Sequence, residues 1–185
     1  MKELVIDGSF EDINLSVFDS KELIYDLHLH SPHTHSKILT DIFDYAFNSL
    51  SIDIKDIEKL YCCIGPGKYT SLRVVLAAIK GMFFEKLENV YGVNSLDLMA
   101  SEEFRNEPFR IVCETSKTKT YFSDYVLNNG FVERLGEIGS SQKNEAVKTD
   151  YKIIQKNCIG SVRNIFRLKP EYFKRVELYA LTPVY

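Results

Sequence analysis

The chain has 185 residues, 45% hydrophobic and 26% charged, enough for one large domain or two small ones around a real core. Nine Gly and five Pro are too few for a linker-rich or disordered chain. A net charge of −3 argues against a free-standing nucleic-acid binder, which needs a basic excess to neutralise phosphates.

The first residues read as short strands. Leu4-Val5-Ile6 is an apolar run that Asp7-Gly8-Ser9 closes with turn residues. Asp7 also arrives before any apolar leader segment develops, which predicts no signal peptide. Ile13, Leu15 and Val17 alternate with Asn14, Ser16 and Phe18, and Leu23, Tyr25, Leu27 and Leu29 share one face of a third run. Short polar connections predict an antiparallel meander. The period then lengthens. Ile38, Leu39, Ile42, Phe43, Ala46, Phe47 and Leu50 form a helical stripe, with Thr34 or Ser36 as its cap.

Leu60-Tyr61-Cys62-Cys63-Ile64 is a continuous apolar run, expected as a buried strand that Gly65-Pro66-Gly67 breaks. A second helix is expected from about Thr70 to Leu87, apolar nearly all round. Its own domain is too small to cover every face, so the remaining face is a candidate partner surface. Val90-Tyr91-Gly92-Val93 is another strand, and Asn94-Ser95 caps a helix through Ala100. The order βββαβαβα is that of an RNase H-like layered α/β domain, expected over residues 1–101.

Residues 102–185 are expected as a smaller second α/β domain whose tail packs back on the first. Arg110-Ile111-Val112-Cys113 is a strand. Asn128-Asn129-Gly130 between alternating runs is a hairpin signal. Residues 136–150 are polar and loop-like, a short strand precedes Gly160, and the tail from Lys169 holds a short helix ending at Pro183.

Chemistry-bearing residues are few. Gly65-Pro66-Gly67-Lys68-Tyr69-Thr70-Ser71-Leu72-Arg73 joins a strand to a helix. A helix N-terminus beside Lys68 and Arg73 suits a phosphate, and a tight strand-to-helix turn explains the same residues. The spacing is not that of a Walker A loop, which needs Gly at the position of Cys62. Asp7 stands alone, since strand 60–64 offers no second acid for two-metal chemistry. In nucleotide-binding relatives of such a fold a DxG-type turn contacts phosphate instead. His28, His30, His33 and His35 fall within eight residues, a metal site or a solvated strand end and loop. Cys62, Cys63, Cys113 and Cys158 contain no CxxC and read as reduced, buried thiols of a cytoplasmic protein.

Residues 35–100 resemble the bacterial TsaB (YeaZ) family. The resemblance rests on His35-Ser36, on the Gly65 to Arg73 turn, on Ala77-Ala78-Ile79-Lys80-Gly81-Met82 and on Gly92-Val93-Asn94-Ser95-Leu96-Asp97-Leu98-Met99-Ala100. Leu4-Val5-Ile6-Asp7 fits the family's opening strand and Thr182-Pro183-Val184-Tyr185 its ending. The chain departs at Gly8-Ser9, Lys68-Tyr69, Ser71 and Glu114-Thr115-Ser116-Lys117.

The resemblance implies an actin/Hsp70-like (ASKHA) fold with a degenerate phosphate site at Asp7, Gly65, Gly67, Lys68 and Arg73. It implies a non-catalytic subunit with no tightly bound cofactor, ATP and Mg²⁺ entering only at the level of a complex. The implied partners are a TsaD-type catalytic subunit and a TsaE-type ATPase, which attach threonylcarbamoyl to N6 of adenosine 37 in ANN-decoding tRNA. The tRNA is met only through that complex, and the chain alone is implied to be a homodimer. Ile38, Ile42, Val74, Val75, Ala78 and Met82, from the two apolar helices, are the expected interface, and no membrane partner is expected. The rival reading is an autonomous ATP-binding kinase or hydrolase of the same fold.

Overall fold

The protein is represented by a computed structural model that describes residues 1–84, 88–142, 146, 148–156 and 158–184. The expected meander forms β1 (Lys2–Asp7), β2 (Asp12–Asp19) and β3 (Glu22–His30), antiparallel in sequence order. Helix α1 (His35–Leu50) leads to β4 (Ile57–Gly65), parallel to β1. Helix α2 (Tyr69–Phe83) leads to β5 (Val90–Asn94), parallel to β4, and α3 (Ser95–Ser101) follows. Residues 85–87, where the second helix was expected to end at Leu87, lie outside the described residues.

Alternation explains the layering. Leu4 and Ile6 of β1 join Leu39, Phe43, Val75 and Ile79 in a core beneath α1 and α2. Val5 points the other way, into a second core with Phe18, Tyr61, Leu98 and Met99. With helices on one face and α3 plus the second half of the chain on the other, β2 is buried along nearly its whole length. This is the α/β layering of the actin/Hsp70-like class.

The second half carries its own sheet, with β6 (Phe109–Glu114), β7 (Thr120–Asn128), β8 (Phe131–Arg134), β9 (Gly139–Ser141) and β10 (Lys152–Lys156). The Asn-Gly signal holds: Asn129 and Gly130 take φ of 51° and 83° between β7 and β8.

Two expectations fail here. Within the stretch read as a loop, Gly139 opens a three-residue strand against β7, where a Cβ would lie 2.4 Å from the Phe122 ring. In the tail, 3-10 turns at Pro170–Tyr172 and Leu178–Ala180 flank a strand, β11 (Lys174–Val176), in place of one short helix. β11 pairs antiparallel with β5, so the open edge of the first sheet sets the tail's conformation. No helix among the described residues is long and apolar enough to cross a membrane.

Candidate functional site

Two turns meet at the C-terminal ends of β1 and β4. The N–H of Ser9 donates to Asp7 Oδ1 at 3.0 Å, folding the first turn back on its acid. The N–H of Lys68 donates to the carbonyl of Ser9 at 2.7 Å, tying the second turn to the first. Gly67 is required there, since a Cβ would lie 2.5 Å from that carbonyl. Gly65 takes φ of 103° and lies under the tail, where the N–H of Val184 donates to the carbonyl of Ile64 at 2.7 Å.

The expected phosphate residues are thus adjacent, but their charges are directed elsewhere. Asp7 is 1% exposed, and its Oδ2 accepts from Asn14 Nδ2 at 3.3 Å. Burial raises its carboxyl above the ordinary 3.8, against the opposing hydrogen bonds from Ser9. The Lys68 ammonium pairs with Glu11, which holds the Glu11 carboxyl below its usual range. The Arg73 guanidinium lies 3.9 Å from the centre of the Tyr69 ring. Glu11 carries no motif signal and was not anticipated as a site residue. Its position in a turn of unpatterned residues hides its partnership with Lys68.

A cleft of about 310 Å³ opens at the first turn of α2, bordered by Glu11, His33, His35, Lys68, Tyr69 and Thr115. His35 is 6% exposed and its Nε2 has no hydrogen-bond partner. Burial lowers the imidazole below 6.5, opposed by hydrogen bonds with the backbone of Glu11 and Asp12. A depressed histidine gives stability that is complete above the unfolded value and is lost as pH falls through the folded one. Urea titrations should therefore show stability declining below about pH 6.5, and His35→Gln should flatten that decline. An unchanged slope in the variant would assign the decline to other groups.

The four histidines do not form one cluster, although His28 and His30 both approach Asp12, with His28 Nε2 3.8 Å from its Oδ2. His28 Nδ1 lies 2.7 Å from Asn14 Oδ1 and His30 Nδ1 lies 2.5 Å from Asp12 Oδ1, while His33 and His35 border the cleft. Among the described residues no three or more His, Cys, Asp or Glu side chains are placed to hold a metal ion. The α1 cap also differs from expectation. Thr34 holds the N-cap position without a side-chain cap bond, and its hydroxyl meets Ser31 Oγ at 2.6 Å.

The other candidate surface is the outer face of α1 and α2. Ile42 and Val75, 7% and 2% exposed, belong to the core beneath the helices and are not open to a partner. Ile38, Val74, Ala78 and Met82 remain half-buried at the rim of that core. Beside them Ala77 and Gly81 are exposed one turn apart, and a Cβ on Gly81 would meet nothing within 4 Å. The stripe permits close approach of another backbone.

Comparison with known proteins gives this geometry a family. Residues 30–163 match the model of TsaD, tRNA N6-adenosine threonylcarbamoyltransferase. A tRNA threonylcarbamoyladenosine biosynthesis protein TsaB from Buchnera aphidicola subsp. Schizaphis graminum is 24% identical over 130 residues, which cover 68% of this chain and 61% of that protein. YeaZ from Pseudomonas aeruginosa superposes with a TM-score of 0.83 over 100% of this chain and 99% of its own, at 15% identity. A second structure from that organism, of an uncharacterised protein with similarity to peptidase YeaZ, gives 0.83 over 100% and 98% at 15% identity. The chain therefore belongs to the TsaD family of tRNA N6-adenosine threonylcarbamoyltransferase, within which its likeness is to the TsaB (YeaZ) proteins.

Proposed function

We propose that this chain is a non-catalytic subunit in the formation of N6-threonylcarbamoyladenosine in tRNA, working in the cytoplasm. It pairs with a TsaD-type catalytic subunit through the outer face of α1 and α2. The observation that carries this reading is the stripe of Val74, Ala77, Ala78, Gly81 and Met82, which the chain leaves uncovered or half-covered. Two helices packed on two from a partner make a four-helix interface with an apolar centre. The same face joins two copies when the chain is alone. A TsaE-type ATPase and the tRNA are met through the complex, and ATP and Mg²⁺ act at that level.

The turns support a non-catalytic role. Asp7 spends its carboxylate on Ser9 and Asn14, and Lys68 spends its charge on Glu11. In a reconstituted tRNA modification assay, Asp7→Asn should retain activity within about threefold, because no transition-state contact is removed. A loss of about 10²–10⁴-fold would instead mark Asp7 as catalytic. The same variant has a stability signature. A carboxyl raised by burial makes the fold less stable as pH rises from 3.8 through its folded value, and the variant lacks that component.

The cleft at α2, with the unpartnered His35 nitrogen, favours the second reading of an autonomous ATP-binding enzyme. Tight binding of Mg-ATP by the isolated chain in calorimetry would support it. Absence of binding removes it.

A further inference from the structure

The exposed face of α2 does not end at Gly81. Ala77, Lys80, Gly81 and Phe84 stand at i, i+3, i+4 and i+7, on one side of the helix, with Phe84 as its C-cap residue. The tail runs beside this end of the helix. Leu181 is buried in the core beneath α2, and Val176 and Leu178 pack against that core. The Lys80 ammonium donates to the carbonyl of Tyr179 at 3.0 Å, tying the turn at Leu178–Ala180 to the helix. Helix and tail together border a groove of about 920 Å³.

The groove suits an apolar occupant. Half-buried Val176 and Leu178 line it together with the rings of Phe84 and Tyr179, which are 62% and 75% exposed. Among the described residues its charged groups are Lys80 and Arg175 against Glu88 and Glu177. Two of each sign leave no net charge with which to select an ion. Its borders are already fixed by the β11–β5 pairing and by Leu181, so little ordering is lost when it fills. Its position points to the occupant. Ala77 and Gly81 let another backbone come close, and Phe84 lies one turn further on, about 5 Å along the axis. Over that distance a helix crossing α2 at about 50° drifts sideways by about 6 Å, less than its own width of about 10 Å. A helix seated on the stripe therefore reaches the groove at either common crossing angle.

We infer that this groove is an anchor pocket of the pairing surface, seating apolar side chains of the helix that a TsaD-type subunit lays on the α2 stripe. The inference rests on the pairing proposed above, and its test separates the two. In titration calorimetry against the TsaD-type subunit, Tyr179→Ser and Phe84→Ser should each weaken the complex by at least about tenfold. Tyr179→Phe keeps the apolar body and should stay within about twofold of the unaltered chain. Both side chains are exposed, so circular dichroism and thermal melting of the variants should match the unaltered chain. Unchanged affinity in both serine variants, with pairing still lost in Ala77→Glu/Gly81→Glu, overturns the inference and leaves the pairing face in place. Pairing that survives the glutamates as well overturns both. A loss in Tyr179→Phe equal to that in Tyr179→Ser assigns the effect to the hydroxyl and overturns the apolar anchor.

Discussion

Replacing Asp97 with alanine is expected to cost about 3 kcal/mol of folding stability, because it leaves the half-buried Arg134 guanidinium and the buried Tyr125 hydroxyl without their shared partner. Asp97 is 1% exposed in the first turn of α3. Its Oδ2 accepts from Arg134 Nη2 at 2.5 Å, and its Oδ1 from Arg134 Nε at 3.2 Å and Tyr125 Oη at 2.8 Å. Two parallel N–H donors on one carboxylate make a strong, directional pair. The pair joins α3, at the end of the first sheet's succession, to β7 and β8 of the second sheet. Arg134 is fixed from the other side as well, since its N–H donates to Tyr172 Oη at 2.7 Å. Tyr125→Phe removes one donor and leaves the ion pair, so about 1 kcal/mol is expected. Urea unfolding of both variants measures the contrast. A loss below about 1 kcal/mol for Asp97→Ala would show that the two halves hold together without this contact.

Charging the α2 stripe is expected to break pairing and leave the fold intact. Ala77 and Gly81 are exposed, so Ala77→Glu/Gly81→Glu buries no charge in the monomer. Gly81 lies in the last turn of α2, where the helix propensity gained by replacing glycine is offset by the helix dipole acting on the new carboxylate, so the fold's stability should change by less than about 1 kcal/mol. In the complex the same carboxylates would be desolvated against a partner helix. The expected result is a dissociation constant weaker by at least about 100-fold, or about 2.7 kcal/mol. Titration calorimetry against a TsaD-type subunit reads the affinity, and thermal melting of the variant reads the fold. Unchanged affinity would move the interface off α2.

The parts of this structure legible in the sequence are those with a local cause. The meander follows from side-chain alternation in β2 and β3, and the β7–β8 hairpin from residues tolerant of positive φ at 129 and 130. The two missed strands have no local cause. Gly139-Ser140-Ser141 and Lys174-Arg175-Val176 carry no alternation, and only the waiting edges of β7 and β5 make them strands. The α2 helix shows a different limit. Apolar residues nearly all round it leave the phase of its buried face open, so Val75 and Val74 look alike in sequence. Packing against α1 and β4 takes Val75 inside and leaves Val74 at the rim.

The same holds for the turns. The glycines at 65 and 67 are readable as a tight turn, whereas the coupling of Lys68 to Glu11 and the enclosure of Asp7 arise from two segments about 60 residues apart. The uncovered stripe at Ala77 and Gly81 was readable only in outline, as an excess of apolar helix surface over available core.

The measurement that bears most directly on this account is light scattering after size exclusion, on the chain alone and mixed with the TsaD-type protein of its own source. The account predicts a complex containing one copy of each on mixing, lost when Ala77 and Gly81 are both glutamate. Two unmixed species, with ATP and Mg²⁺ present, would contradict it.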